Sequence, residues 1–136
     1  MERHYINPPD IAPPPGDIYH HVVKVGNTVY LSGQVSRGPD GRAAHVGDPS
    51  GQVRQVWANI EKAMASVGGS IRDIVKTTTY VVGAENLPEV RRARLEILPP
   101  EERPASTMVV VAGLADQELV VEVEAVAILR EGPAPH

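Results

Sequence analysis

The 136-residue sequence contains no cysteine, which excludes disulfides, thiolate metal ligands and cysteine nucleophiles. It also lacks an excess of base. Lys and Arg number 13 against 17 Asp and Glu, a formal net charge of -4, the wrong sign for a chain that would hold nucleic acid by neutralising phosphates. No apolar run approaches the roughly 20 residues needed to span a bilayer. Met1 to Asp10 has neither the basic nor the apolar region of a signal peptide. These absences point to a cytoplasmic protein with no nucleic-acid or membrane partner. What the chain does have is apolar content, 42% of its residues, enough for one domain with its own core. That domain is expected over 1–136, with a Pro-rich arm at 1–16 and a tail at 130–136.

The arm is stiffest over residues 7–16, Asn-Pro-Pro-Asp-Ile-Ala-Pro-Pro-Pro-Gly, where proline removes donors and favours extended backbone. His20 to Val25 and Thr28 to Ser32 are β-rich and separated by Gly26-Asn27, which predicts a hairpin. Ser36 to Ser50, rich in Gly, Pro and Asp, reads as a surface loop with a short strand near Ala43 to Val46. The period then changes. Val53, Val56, Trp57, Ile60, Ala63, Met64 and Val67 recur every three or four residues, the mark of an amphipathic helix that Gly68-Gly69 ends. Ile74 to Val82 is β-branched and aromatic, hence a strand. Asn86, as N-cap, opens a second helix to about Leu98, stopped by Pro99-Pro100. Thr107 to Ala112 and Leu119 to Leu129 complete the strands.

The order β-β-α-β-α-β-β gives an α+β sheet with both helices on one face. Along the final strand Glu122 and Glu124 point one way while Val121, Val123 and Ala125 point the other. Apolar residues nevertheless occur on both sides of this strand, so the second face of the sheet is expected to be covered by further copies of the chain.

The chain resembles the Rid family, also known as YjgF/YER057c/UK114 and typified by enamine/imine deaminases. The matching residues run in order through most of its length: Tyr19, Val22, Val25-Gly26-Asn27, Ser32-Gly33-Gln34, Gly47-Asp48, Gln52, Asn59-Ile60, Gly68-Gly69-Ser70, Asp73 to Lys76, Pro104-Ala105 and Val121 to Ala127. The resemblance implies a chorismate-mutase-like fold, a homotrimer whose sheets line a central barrel, and a ligand cleft between subunits. It implies too that an arginine two residues after the proline of Pro-Ala binds a substrate carboxylate, and that a glutamate on the last strand positions the attacking water. Glu122 falls at the glutamate's position. Ser106 stands where the arginine is expected, and a serine hydroxyl supplies neither charge nor a two-pronged contact.

The candidate catalytic residues are therefore Glu122, His21 and Tyr19. Ser106, Thr107, Arg91 and Gly33 are the candidate substrate-binding residues. Each has a plainer reading. Tyr19 serves equally as a packed strand tyrosine, His21 as a hydrogen-bonded interface histidine, and Gly33 as a structural glycine. Because neighbours alternate on a strand, one of Ser106 and Thr107 faces a cleft. Arg91, Arg94 and Arg103 each stand near enough in sequence to replace the missing charge, although Arg92 and Arg94 read more simply as a solvated helix face. Gln52, Gln55 and Asn59 read as exposed or capping polar groups. The five histidines are too scattered to form a metal site, and no cofactor is called for. Function divides between hydrolytic deamination of a pathway-specific enamine or imine, such as an aminomuconate-like compound rather than a simple 2-imino acid, and a noncatalytic small-molecule-binding or stabilising trimer. Nuclease activity, also attached to the family, fits poorly with the acidic charge.

Overall fold

The computed structural model describes residues 1–130; the expected tail beyond Arg130 lies outside them. Six strands form one mixed sheet: β1 (Arg3–Ile6), β2 (Val22–Val25), β3 (Thr28–Val35), β4 (Ile74–Val82), β5 (Ala105–Val111) and β6 (Val121–Ile128). Their spatial order is β1-β2-β3-β6-β4-β5, antiparallel except for the parallel pair β4 and β5. Helices α1 (Pro49–Ala65) and α2 (Leu87–Arg94) pack against each other, with α1 lying on β3 and β6.

The predicted hairpin forms, with Val25 opposite Thr28 and Gly26 at a φ of 59° that few side-chain-bearing residues adopt. Helix α1 starts where Asp48 accepts a hydrogen bond from the Gly51 amide at 3.0 Å and stops short of Gly68, at φ 76°. Its apolar stripe meets Val29, Leu31, Val81, Val121 and Val123 in one core. Strand β6 alternates as its sequence requires. Val121, Val123, Ala125 and Ala127 are buried, while Glu122, Glu124, Val126 and Ile128 face away from the helices.

Four details differ from expectation. Strand β1, read as part of the arm, pairs along its length with β2. The strand expected near Ala43 to Val46 reduces to one bridge, Arg37 to Ala43. Asn86 does not cap α2, because its side-chain amide donates to the Val82 carbonyl at 2.8 Å. That helix ends at Arg94 rather than near Leu98, since Leu95, Glu96 and Ile97 tighten to carbonyls three residues back before the two prolines.

Among the described residues, no helix covers the other face of the sheet. Tyr30, Val109 and Ile128 are exposed on it, and β5, at the sheet's edge, is largely exposed, although Met108 packs partly against the core.

Candidate functional site

The register of β3 against β6 slips between Leu31 and Gln34, so three steps along β3 oppose two along β6. This bulge presents main chain at Ser32 and Gly33 where a side chain would otherwise stand. The Glu122 carboxyl occupies the room. A Cβ on residue 33 would overlap Glu122 Oε2, so only glycine permits this packing. Burial, and then the charge of Glu124, raises the pKa of Glu122 above the ordinary carboxylate value. The Tyr80 hydroxyl donates to Glu124 Oε1, and that bond, then burial and the two carboxylate charges, raises the tyrosine's pKa as well. Tyr80 escapes sequence reasoning because its role depends on the pairing of β4 with β6.

A cavity of about 430 Å³ opens above Gly33 and Glu122. The arm supplies a wall through Ile11, Ala12, Pro13 and Pro15, with Ile11 and Pro14 buried, so the segment is docked rather than loose. Tyr19 and His21 also line the cavity, their rings edge to face with centroids 6.1 Å apart. His21 is 6% exposed and both its nitrogens are engaged. Nε2 donates to the Ala12 carbonyl at 2.7 Å, and Nδ1 accepts from the Gln34 amide at 3.0 Å. The imidazole thus ties the arm to β3, and proton transfer through it would break one of these bonds. Arg37, overlooked in the sequence because it sits in the loop, lines the cavity and donates to the Gly41 carbonyl at 2.9 Å.

Gln52 and Asn59, read as exposed or capping groups, are buried instead. Gln52 donates to the His45 and Glu118 carbonyls and accepts from the Val120 amide, while Asn59 donates to the Val35 and Arg37 carbonyls. They fix α1 to the segments that frame the cavity.

The remaining candidates lie elsewhere. Ser106 pairs with buried Thr77 and so looks toward the helices, where Arg94 Nη1 donates to its Oγ at 2.9 Å. Arg94 is therefore not a solvated-face residue. Arg91 is exposed and, among the described residues, has no hydrogen-bond or ion-pair partner. Thr107 turns to the opposite face, where Lys76 Nζ donates to its hydroxyl at 2.8 Å. Ser106 and Glu122 thus occupy opposite faces of the sheet with β4 between their strands, a lateral separation of about 10 Å at ordinary strand spacing. One chain cannot bring both to one small molecule.

A family model described as Endoribonuclease L-PSP matches residues 10–129. The chain belongs to this family. Among its relatives, the 3-aminoacrylate deaminase RutC of Acinetobacter baylyi is 32% identical over 119 residues, which cover 88% of this chain and 93% of that protein. The 2-iminobutanoate/2-iminopropanoate deaminase of Dermatophagoides farinae is 28% identical over 88% of this chain and 92% of its own. The crystal structure of RidA from an Antarctic Psychrobacter species superposes with a TM-score of 0.79 at 31% identity, covering 88% of this chain and 95% of that one. The Rid resemblance drawn from residues and the two-helix, mixed-sheet fold thus agree with these relatives. Among the described residues, no helix is long and apolar enough to cross a membrane.

Proposed function

We propose that the chain is a hydrolytic deaminase of an enamine or imine, acting as a homotrimer in clefts between subunits, on a pathway-specific substrate other than a simple 2-imino acid. One observation carries the reading: a carboxyl group with a raised pKa, Glu122, stands against bare main chain at the floor of a cavity. Such a carboxylate is a stronger base than an ordinary one, suited to taking a proton from water. Water adds to the C=N carbon as the Glu122 carboxylate takes its proton. The same carboxyl returns that proton to the nitrogen of the resulting carbinolamine; as the C–N bond breaks, the carbinol hydroxyl gives its proton to the Glu122 carboxylate, so that ammonia leaves and a carbonyl compound remains. Tyr19, at the cavity, has a hydroxyl suited to orienting the substrate. His21 holds the wall in place.

Support for the assembly comes from the exposed apolar face of the sheet and from the placement of Ser106 and Glu122 on opposite faces, which joins them in one site only if two copies contribute. Support for a changed substrate comes from Ser106. Ammonia release should accelerate little when the protein meets enzymatically generated 2-aminoacrylate or 2-iminopropanoate, and a robust rate would remove the argument from Ser106. On an accepted substrate Glu122→Ala should abolish turnover; unchanged turnover would exclude Glu122. The noncatalytic reading, a ligand-binding or stabilising trimer, is favoured by the commitment of both His21 nitrogens to structure. It would gain if ligands bound tightly while no enamine or imine was consumed.

A further inference from the structure

A second cavity, of about 140 Å³, lies between α2 and β5, lined by Trp57, Thr77, Arg94, Leu98, Pro104 and Ser106 among others. Two of its polar side chains, Arg94 and Trp57, bury donors without acceptors, whereas Arg103 gives its Nε and Nη2 to the Leu98 and Leu95 carbonyls. Arg94 is half-buried, and that burial, followed by the charges of Arg91 and Arg103, lowers its pKa. A guanidinium drawn out of water normally meets a carboxylate. Among the described residues Arg94 has none, because Glu96 pairs with Arg54 and Glu102 with Arg72. Nη1 reaches Ser106, while the buried Nε finds no acceptor. Trp57, 6% exposed, also buries its indole N–H without a partner. Ser106 accepts from Arg94, so its own hydroxyl proton is free to donate.

We propose that this cavity binds the carboxylate of the ligand, with Arg94 on α2 as the cationic anchor and Ser106 as its positioning partner and second donor. A planar carboxylate suits the guanidinium fork, and Leu95, Ile97 and Leu98 offer an apolar wall for a few attached carbons. As to which ligand is held, the inference rests on the deaminase reading: the carboxylate belongs to the compound whose C=N end meets Glu122 of an adjoining copy. Because Arg94 touches Ser106 from the helix layer, the charge sits off the strand. The site accordingly selects compounds whose carboxylate lies farther from the reacting carbon than in a 2-imino acid.

The test uses the full-length protein and crotonate, an unreactive carboxylate, with neutral crotonamide as its counterpart. Binding is read from the indole N–H resonance of the lone tryptophan and by calorimetry. Crotonate should shift that resonance and crotonamide should not. Arg94→Met should weaken crotonate binding about tenfold or more, as expected for loss of charge-assisted hydrogen bonds, with Arg94→Lys between and Ser106→Ala weakened less. No crotonate binding by the wild type, equal binding of the amide, or undiminished binding by both Arg94 variants would overturn the proposal. The comparison of acid with amide on the wild type stands even if a variant misfolds. Crotonate binding that depends on Arg94, in a protein that turns over no enamine or imine, would defeat the deaminase reading and leave the anion site standing.

Discussion

At the scale of single residues the sharpest constraint is steric. Gly33 leaves space that Glu122 fills, so Gly33→Ala should drive the carboxyl out of place while barely changing the melting temperature. A displacement of about 1 Å at a reacting centre costs on the order of 100-fold in turnover, and steady-state kinetics on an accepted substrate would measure it. The paired acids give a second expectation. Glu122 binds its proton more tightly in the folded protein than in the unfolded one, so its contribution to stability is present at low pH and is lost as pH rises through the raised value. Removing the Glu124 charge should lower the Glu122 pKa. Carboxyl-carbon NMR titration of Glu124→Gln should therefore show Glu122 ionising at lower pH than in the wild type, and the acidic limb of a pH–rate profile should move the same way. A shift upward would mean that the two carboxyls do not repel each other.

At the scale of elements, one side chain of α1 reaches segments far away in sequence. Gln52 satisfies the Val120 amide and the Glu118 and His45 carbonyls, so Gln52→Leu leaves several buried groups unpaired and should cost about 2–4 kcal/mol in denaturant unfolding. Asp48→Ala, which removes the helix cap, should cost about 1 kcal/mol. These two residues show what sequence reveals and what it withholds. Periodicity exposes α1, β4 and β6 because their burial follows directly from local alternation, and Gly26-Asn27 exposes the hairpin because the turn is local. The burial of Gln52 depends on Val120, 68 residues away, and no local pattern announces it. Strand β1 is hidden for a related reason: Arg3, His4 and Tyr5 are exposed, and only docking on β2 makes them a strand. In the candidate site, the face that Glu122 occupies was legible from alternation. The grip of Arg94 on Ser106 was not, since three neighbouring arginines look alike until the helix is placed over β5.

At the scale of the whole molecule, the sheet leaves Tyr30, Val109 and Ile128 uncovered on one face and β5 bare along one edge, an arrangement that invites association. Light scattering should return three times the chain mass, and Val109→Asp should shift the population to smaller species and abolish turnover together with assembly. A monomeric wild type would refute the shared cleft. The bulge at Ser32 and Gly33 carries a final consequence, for how such a protein diversifies. Where the floor of the candidate site is made of main chain, mutation has no side chain there to exchange, and any added atom collides with the acid. The arm wall and α2 are under no such restraint. New substrate ranges should therefore arise by rewriting those two borders, while the carboxyl and the main chain beneath them stay fixed.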